Sequence, residues 1–300
     1  MNIGFIGLGA MGSHMAARLL DKKYALFVCD ANPAAVASAT GKGAIAAQSP
    51  KEVADLCEIV LVSLPTPDII RDVALGSNGL IEGVAIKTYV DLSTTGAKTA
   101  VAVGLRLAEK QIISLDAPVS GGPSGAAAGT LAIMVSGDQA AFKQYETLLR
   151  TIGSRATYVG PEVGQGQSLK LINNLLAASS LASTCEALVI GTKAGLSLDT
   201  MLEVLNASSG RSFATEKIIP MTVPGRTFDF GFRTELMYKD IRLCLEEAEN
   251  MQVPAFLGNS VKQIWAYAIA RGAGHKDFSA ILNVFEEWSD IQVGGSPSST

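Results

Sequence analysis

Short apolar runs alternate with helical segments along the first half of the chain. Six of them have the length and composition of buried strands: NIGFIG (2–7), ALFVCD (25–30), EIVLVSLP (58–65), TYVDLS (88–93), IISLDAP (112–118) and TLAIMVSG (130–137). The segments Met11–Lys22 and Pro33–Thr40 between the first runs predict helices. Strands that alternate with helices are typical of βαβ units, so this half predicts an α/β fold with a doubly wound, mostly parallel sheet.

The pattern changes near Gly160, and from Gln165 onward no run favours a strand. The remaining periodic segments predict helices at 165–193, 198–207, 211–221, 234–250, 254–271 and 276–288. We therefore expect an α/β domain at 1–162, joined by a long helix to an all-helical domain at 163–293. Residues 294–300 are rich in glycine and serine and predict a flexible tail.

The segment 165–193 carries a lysine, Lys170, at the start of a long apolar run. Residues 171–185 include no charged side chain, which predicts a helix buried on most of its circumference. Because burial of an isolated ammonium is costly, a lysine beside this run needs an explanation. The run is also too short and too polar for us to expect a membrane span.

Composition and charge limit the class of protein. The 300 residues are 48% hydrophobic and 17% charged, which favours a large core and a further buried surface in a homodimer or homotetramer. The formal net charge is −4 and no basic block is present, so a nucleic-acid partner is not expected. The N-terminal run lacks the charged region of a signal peptide, so we expect a cytoplasmic location.

The cysteines and histidines point to neither a disulfide framework nor a metal site. The four cysteines form no CxxC pair and each lies in an apolar pattern, so we expect reduced thiols in the core. His14 and His275 are isolated in the sequence, so a set of metal ligands is not expected.

A GxGxxG string follows the first predicted strand and opens the first helix. It comprises Gly7, Leu8, Gly9, Ala10, Met11 and Gly12. By itself such a string is weak, and it is equally consistent with a tight turn between a strand and a helix. In a βαβ unit, however, the glycines let the backbone approach a pyrophosphate, which the helix N-terminus then binds. The context therefore predicts a dinucleotide site.

Asp30 ends the second predicted strand, where an acidic residue accepts hydrogen bonds from the ribose of a dinucleotide. A carboxylate at this position repels a 2′-phosphate, and the following Ala31 and Asn32 offer no arginine to bind one. The pattern therefore favours NAD over NADP. The alternative is that Asp30 is a solvated aspartate.

A second glycine cluster, Ser120, Gly121 and Gly122, follows the run at 112–118. Ligands of open α/β sheets bind beyond the carboxyl ends of the strands, where this cluster offers a hydroxyl and successive backbone N–H groups. Taken alone, the cluster is an ordinary Gly-Pro turn. Beside a nucleotide site, it predicts a cradle for the carboxylate of a substrate.

Lys170 and Asn174 are four residues apart, so they share one face of the predicted helix. A buried lysine whose pKa is lowered exchanges a proton near neutral pH, as the oxidation of an alcohol by NAD requires. Asn174 would hold this lysine or the substrate in place. On position alone, a lysine that extends from the first helical turn into solvent is the commoner case.

A second charged pair, Lys239 and Asp240, interrupts the apolar pattern of the helix at 234–250. Lys239 would add positive charge to a site for an acidic substrate, and Asp240 would pair with it. Such neighbours are more often a solvated pair at the surface.

Taken together and in this order, the motifs resemble those of the β-hydroxyacid dehydrogenase family, which includes 3-hydroxyisobutyrate dehydrogenase and tartronate semialdehyde reductase. The resemblance covers about residues 1–293 and rests on the strings GLGxMG, DLST, DAPVSGG, GxGxxxKxxxN and KD. It implies an N-terminal Rossmann domain, a C-terminal helical domain like that of 6-phosphogluconate dehydrogenase, and a dehydrogenase activity.

The resemblance also implies a role for each motif. Lys170 matches the catalytic acid/base of the family, and Asn174 matches an asparagine that helps to bind the substrate. Ser120–Gly122 match the residues that hold the substrate carboxylate, and Lys239 matches a lysine near substrate and nicotinamide. Further cofactor contacts are implied for Leu64, Pro65, and Thr94 or Thr95. The family often has a proline soon after DLST, which is missing here.

The sequence thus predicts hydride transfer between NAD and a short 3-hydroxy acid, with Lys170 as general acid/base and without a metal. Two alternatives stay open. The first is an NAD(P)H-dependent reductase of small semialdehydes of the tartronate, succinic or glyoxylate type. The second is a non-catalytic, dinucleotide-binding sensor, which would not need a buried lysine beside the nicotinamide.

The substrate pocket itself has several candidates in the second half of the chain. Phe230 and Phe232 would be apolar walls, and Arg233 would bind a second acid group of the substrate. Arg211-Ser212 is a further candidate, and the sequence does not rank them.

Overall fold

The computed structural model describes residues 1–294, and the chain divides into two compact units, Met1–Leu171 and a second unit that begins at Ile172. The division lies inside a long helix, Gln165–Lys193, and so later than the domain boundary predicted at 162/163. That boundary stays a prediction. The tail predicted at 294–300 lies outside the described residues except for Gly294.

A nine-stranded sheet forms the centre of the first unit. Its strands are β1 Asn2–Ile6, β2 Ala25–Cys29, β3 Ile45–Ala46, β4 Ile59–Val62, β5 Thr88–Asp91, β6 Ile113–Asp116, β7 Val119–Ser120, β8 Ala132–Gly137 and β9 Arg155–Gly160. Strands β1–β6 are parallel, in the order β3-β2-β1-β4-β5-β6 that is typical of dinucleotide-binding Rossmann sheets. Beyond them, β8 is antiparallel to β6 and β7, and parallel to β9.

The prediction of a mostly parallel, doubly wound sheet is confirmed. Three strands, β3, β7 and β9, were not predicted from the sequence. Both β3 and β7 have two residues, which is too short for a periodic signal, and β3 is exposed. Strand β9 mixes exposed and half-buried side chains with buried ones, so it lacks a continuous apolar run.

Seven helices of the first unit cover the sheet: α1 Gly12–Asp21, α2 Pro33–Thr40, α3 Pro50–Leu56, α4 Pro67–Leu75, α5 Ala97–Ala108, α6 Gly122–Ala128 and α7 Gln139–Ile152. Helices α2, α3 and α4 each begin at a proline, and the side chain just before it accepts a backbone hydrogen bond. These N-caps are Asn32, Ser49 and Thr66. The sheet is buried on both faces: α1 and α7 pack on one side, and α3, α4 and α5 on the other.

The second unit is built from helices, and its described residues include no strand. These helices are most of α8 Gln165–Lys193, then α9 Leu198–Asn206, α10 Ile219–Thr222, α11 Thr234–Asn250, α12 Phe256–Ala268 and α13 Leu282–Ser289. The predicted helix at 211–221 contains a π-helical turn at Ala214–Ile218, followed by Pro220, which lacks the N–H of a regular helix. The predicted helix at 254–271 ends in a second π-helical turn, where Gly272 has a φ of 83°.

Helix α8 is buried along one stripe. Seven side chains at intervals of four and three residues are at most 6% exposed: Gln167, Leu171, Asn174, Ala178, Leu181, Cys185 and Leu188. On other faces, Leu169, Ile172, Leu176 and Ile190 are between 40% and 66% exposed. The expectation of burial around most of the helix is therefore wrong. A helix face without charges has the same sequence pattern whether or not the rest of the chain covers it.

By length and composition, α8 also meets the criteria for a membrane span. It has 29 residues and a mean hydropathy of 1.4 over an 18-residue window. The expectation that this segment is too short and too polar for a membrane span considered only the uncharged run, which is shorter than the helix. The core helix of a globular domain meets the same criteria. The buried stripe of α8, which includes the polar Gln167 and Asn174, agrees with such a core helix.

Candidate active site

The carboxyl ends of five strands form one row across the sheet. Ile6 pairs with both Cys29 and Val62, Val62 pairs with Asp91, and Asp91 pairs with Asp116. Parallel strands end at the same edge, so the segments that follow these residues leave the sheet side by side. These segments are 7–12, 30–32, 63–66, 92–96 and 117–122. They contain the cofactor and carboxylate motifs that the sequence predicts for this unit.

The glycine turn after β1 is tightly packed at its ends and open in its middle. A Cβ on Gly7, where φ is 94°, would lie 2.2 Å from the carbonyl oxygen of Ser63. A Cβ on Gly12 would lie 1.8 Å from the carbonyl oxygen of Gly7. At Gly9, by contrast, no described residue other than the two chain neighbours comes within 4 Å of the added Cβ. Gly7 and Gly12 thus permit the turn, and Gly9 leaves backbone accessible, as a pyrophosphate site requires.

Asp30 is held by this turn. Its Oδ2 accepts a hydrogen bond from the Leu8 N–H (2.5 Å), and its Oδ1 accepts one from the Asn32 N–H (2.7 Å). A carboxylate has about four acceptor positions, so both oxygens keep capacity for ribose hydroxyls. Asp30 is half-buried. The structure therefore gives this residue a structural role, which the sequence did not suggest, and it fits a ribose contact as well.

The loops after β4 and β5 are joined by hydrogen bonds. The Leu64 N–H donates to Ser93 Oγ (2.9 Å), and the Ser93 N–H donates to Asp91 Oδ1 (2.8 Å). Thr95 is buried, and its hydroxyl donates to Asp91 Oδ2 (3.4 Å). Thr94 is half-buried and Pro65 is exposed. Of the two threonines that the sequence could not separate, Thr95 directs its side chain into the protein.

The first turn of α8 is attached to the sheet by a buried carboxylate. Asp116 accepts hydrogen bonds from the Gly164 N–H (2.8 Å), the Gln167 N–H (2.9 Å) and the Ser136 hydroxyl (2.6 Å). The Ser136 hydroxyl oxygen in turn accepts one from the Gly166 N–H (2.9 Å). These bonds satisfy N–H groups that have no partner within the helix.

The two glycines of the GxGxxxKxxxN string are each required, for different steric reasons. Gly164 has a φ of 105°, in the region that favours glycine. A Cβ on Gly166 would lie 2.4 Å from the carbonyl oxygen of Met134 and 2.8 Å from Asp116 Oδ2. The glycine at position 166 of this string is therefore explained by the close approach of α8 to the sheet.

Gln167 joins α8 to the loop after β5. Its Oε1 accepts hydrogen bonds from the N–H groups of Thr95 (2.9 Å) and Gly96 (3.2 Å). Its Nε2 donates to the carbonyl oxygen of Ser93 (2.9 Å), and the side chain is fully buried. The contacts of Gln167, Asp116 and Ser136 were not predicted from the sequence. A signal for Asp116 was present in the sequence, because two successive predicted strands, 88–93 and 112–118, each carry an aspartate near their carboxyl end. In the structure these two residues, Asp91 and Asp116, are paired in register.

Lys170 lies in the next turn of α8 and is only 7% exposed. The alternative of a lysine that extends from the first helical turn into solvent is therefore excluded. Lys170 is therefore a buried lysine beside an uncharged run, as the sequence suggested. The attachment of the first turn of α8 to the sheet accounts for its position.

Burial changes the acidity of the two carboxyl groups under this network. It raises the pKa of Asp91 to about 6, although hydrogen bonds from Ser93 and Thr95 act in the opposite direction. Burial also raises the pKa of Asp116, against the hydrogen bonds from Ser136, Gly164 and Gln167. Removal of water disfavours the charged form of a carboxyl group, and these two groups also face one another.

The Ser120–Gly122 segment contains two successive glycines with positive φ. Gly121 and Gly122 have φ values of 137° and 65°, and Ser120 pairs with Ala132 at the end of β7. Apart from its chain neighbours and its own helix backbone, a Cβ added to Gly122 would meet no described residue within 4 Å, so the backbone is accessible there. This backbone differs from the alternating αR-αL conformation of an anion nest, so the segment supports the predicted carboxylate cradle only through its accessible backbone.

In the second unit, Asn174 and Lys239 meet at Asp240. The Asn174 Nδ2 donates to Asp240 Oδ2 (2.6 Å), and the Asn174 Oδ1 accepts from Asn173 Nδ2 (3.1 Å). The Lys239 Nζ lies 3.2 Å from Asp240 Oδ1, which forms no hydrogen bond with the described residues, so this contact is an ion pair. Asp240 is buried. The alternative of a solvated surface pair is therefore wrong.

The other pocket candidates have different surroundings. Phe230 and Phe232 both pack against Phe278, with ring centroids 5.7 Å and 5.9 Å apart, at the edge of the helical core. Arg233 is exposed and pairs with Glu235 (3.3 Å). Arg211 is also exposed, with Glu216 at 3.6 Å. The two aromatic residues are thus part of a packed cluster, and the two arginines are solvated.

The cysteines are free thiols, of which Cys57, Cys185 and Cys244 are buried and Cys29 is half-buried. Burial raises the pKa of Cys57 to about 12 and that of Cys244 to about 11, so these thiols are poor nucleophiles. Among residues 1–294, no three or more histidine, cysteine or acidic side chains are grouped as metal ligands.

Both units match described protein families. Residues 2–160 match the NAD binding domain of 6-phosphogluconate dehydrogenase. Residues 164–285 match the family described as NAD-binding of NADP-dependent 3-hydroxyisobutyrate dehydrogenase. Together, these matches span most of the chain.

Individual relatives cover nearly the whole chain. The 2-(hydroxymethyl)glutarate dehydrogenase of Eubacterium barkeri is 38% identical over 296 residues, which are 98% of each chain. The mitochondrial 3-hydroxyisobutyrate dehydrogenase of Mus musculus is 34% identical over 294 residues, covering 95% of this chain and 87% of that protein. The structure of Mycobacterium tuberculosis 3-hydroxyisobutyrate dehydrogenase with L-serine has a TM-score of 0.87 at 30% identity, covering 94% and 98%.

The buried carboxyl group of Asp91 predicts a pH-dependent stability. Its pKa in the folded chain, about 6, lies above the ordinary value of 3.8, so its contribution is complete at low pH and is lost as the pH rises through about 6. An asparagine in its place would not titrate. Between pH 4 and pH 8, we expect the free energy of unfolding of the native protein to fall by about 2 kcal/mol relative to Asp91→Asn, as measured by urea unfolding. The exposed Asp229→Asn is the control, and a difference that stays constant with pH would contradict this prediction.

Proposed function

The chain belongs to the β-hydroxyacid dehydrogenase family, and we propose that it is an NAD-dependent oxidoreductase that acts on a short 3-hydroxy acid. The observation that carries this proposal is the buried Lys170, one turn after the Gln167 that joins α8 to the loop after β5. The relatives named 2-(hydroxymethyl)glutarate and 3-hydroxyisobutyrate dehydrogenase suggest the substrate class. Both names denote an acid that carries a hydroxymethyl group on the carbon next to a carboxylate.

Lys170 is the proposed general acid/base. In the oxidation, the neutral amine takes the hydroxyl proton at Nζ while the carbon–oxygen bond becomes a carbonyl. NAD, when bound, supplies the acceptor for the hydride that leaves the same carbon. In the opposite direction, the ammonium returns a proton to the carbonyl oxygen. The reduction of a semialdehyde is therefore the reverse reaction at this site.

The cofactor is proposed to bind along the row of strand ends. The N–H groups around Gly9 and the start of α1 would hold the pyrophosphate, and Asp30 would bind the ribose. Leu64, Pro65 and Thr94 would provide further contacts. We assign Thr95 to support of the loop, since its hydroxyl and N–H are bonded to buried groups.

The substrate is proposed to be held by its carboxylate. Ser120, Gly121 and Gly122 would supply a hydroxyl and backbone N–H groups, and Asn174 would bind the substrate through its amide. Lys239 would contribute positive charge near substrate and nicotinamide. Asp240 supports both side chains, through a hydrogen bond to Asn174 and an ion pair with Lys239.

The chain is also proposed to form a homodimer or homotetramer. Ile172, Leu176 and Ile190 of α8 are large apolar side chains that the second unit leaves exposed. Such a face is a common feature of subunit interfaces, where apolar area is removed from water.

We expect the native protein to reduce NAD with at least one 2-substituted 3-hydroxypropionate, and Lys170→Ala to lower kcat by about 10²- to 10⁴-fold. Binding of NADH, measured by fluorescence titration, is expected to change little in this variant. Lys193→Ala, at the exposed far end of the same helix, is the control. Full turnover by Lys170→Ala would exclude the proposed mechanism. NAD binding without turnover of any hydroxy acid or semialdehyde by the native protein would favour a sensor.

The charge of Asp30 predicts the cofactor preference. Asp30→Asn keeps the size of the side chain and removes the repulsion of a 2′-phosphate, so the ratio of kcat/KM for NADP to that for NAD should rise by about tenfold or more. The exposed Asp21→Asn is the control. An unchanged ratio would show that another residue selects the cofactor.

The exposed face of α8 predicts the oligomeric state. Leu176→Glu should shift the native oligomer towards monomer in light scattering at micromolar concentration, because it adds charge to an apolar interface. Val84→Glu, a similar substitution at an exposed site of the first unit, should leave the mass unchanged. A native monomer, or a native mass in Leu176→Glu, would contradict the assignment of this face.

A further inference from the structure

Gln167 satisfies three backbone groups of one loop with a single side chain. Two N–H groups, of Thr95 and Gly96, donate to its Oε1, and its Nε2 donates to the carbonyl oxygen of Ser93. These bonds lie within the fully buried surroundings of the side chain. Loss of the side-chain amide would leave buried N–H and C=O groups without these partners, which is more costly than loss of an exposed hydrogen bond.

The backbone of Gln167 is fixed as firmly as its side chain. Its N–H donates to Asp116 Oδ2 (2.9 Å), and the Gly164 N–H donates to the other carboxylate oxygen (2.8 Å). Gly166, in the same turn, leaves no room for a Cβ against the carbonyl oxygen of Met134. The first turn of α8 therefore has no freedom to slide or rotate against the sheet without breaking buried contacts.

The loop that Gln167 binds is connected to the next strand end. Ser93 Oγ accepts the hydrogen bond from the Leu64 N–H, so this bond links the loop after β4 to the loop after β5. Lys170 follows Gln167 by three residues and shares its side of the helix. A displacement of the loops is thus transmitted through one side chain to the turn that carries Lys170.

We propose that Gln167 is a positioning residue that sets Lys170 relative to the loops after β4 and β5, so that cofactor binding and proton transfer are coupled. This inference rests on the proposed function for the roles of Lys170 and of the loops. Gln167 itself exchanges no proton, and its effect comes from the positions in which it holds Lys170 and the loop after β5.

The hydrogen-bonding pattern requires an amide at this position. One end of the side chain accepts two hydrogen bonds and the other end donates one, which a carboxylate cannot do. A protonated glutamic acid can reproduce the pattern, because its O–H would donate to the Ser93 carbonyl oxygen. The nearby carboxyl groups of Asp91 and Asp116, together with burial, would favour that neutral form.

The first test is Gln167→Met, which keeps the length of the side chain and removes all three hydrogen bonds. We expect kcat to fall and the KM for NAD to rise, each by about tenfold or more, because both the lysine and the loop are displaced. Gln165→Met is the matched control: it makes the same change in the same turn, at an exposed side chain that bonds to the Glu162 N–H. Kinetic constants of Gln167→Met that equal those of the control would overturn the proposal.

The second test is Gln167→Glu, assayed in the direction of semialdehyde reduction. The activity of this variant relative to the native protein should rise as the pH falls, since the acid form restores the pattern of the amide. The comparison at each pH removes the titration of Lys170, which both proteins share. A ratio that stays low at every pH would overturn the proposal, and this result does not depend on whether Gln167→Met folds.

A third measurement separates the coupling from the proposed function. Addition of NAD to the native protein should slow hydrogen exchange at residues 164–171, and Gln167→Met should lose this protection while Gln165→Met keeps it. If the native protein turned over no substrate but showed this pattern, the coupling would stand and the proposed function would fall. If the native protein were active and Gln167→Met kept the protection, the coupling would fall alone.

Discussion

The attachment of the first turn of α8 to the carboxyl edge of the sheet is the interaction on which the rest of the site depends. Asp116 accepts three hydrogen bonds there, two of them from N–H groups of that turn. A carboxylate at a helix N-terminus is favoured by the helix dipole, which offsets part of the cost of its burial. Gly164 and Gly166 make the approach sterically possible, and the position of Lys170 follows from it.

This attachment explains why a buried lysine precedes the uncharged run at residues 171–185 of α8. The helix has one buried stripe, and Lys170 lies next to it in a turn that the sheet holds in place. A lysine that served solubility would be placed on the exposed faces, which instead carry Ile172 and Leu176. The apolar character of α8 therefore has two sources, a core stripe and a face that we assign to contact between subunits. A buried amine on a helical turn that the sheet holds in place is suited to proton transfer, because little orientation has to be gained when the substrate binds.

The sequence was sufficient to predict those features that depend on a periodic pattern of apolar residues or on the residues of a single turn. The order of strands and helices, the glycine turn and the long helix from Gln165 could all be predicted, because each depends on neighbouring residues. The contacts of Asp116 and Gln167 could not, since their partners are distant in the chain and meet only when parallel strands align at one edge. The extent of burial around α8 was predicted wrongly for the same reason. Asp240 was left undecided, because a buried and a solvated Lys-Asp pair look identical in sequence.

The most direct test of the account is a transfer experiment with the native protein. A 3-hydroxy acid of the 2-substituted 3-hydroxypropionate class, deuterated at its hydroxymethyl carbon, would be incubated with NAD, and the reduced cofactor would be analysed by mass spectrometry. We predict that deuterium from this carbon appears in the nicotinamide ring, that the acid becomes a semialdehyde, and that Lys170→Ala slows the transfer by about 10²- to 10⁴-fold. Reduced cofactor without deuterium, or no reduction with any member of the class, would contradict this prediction.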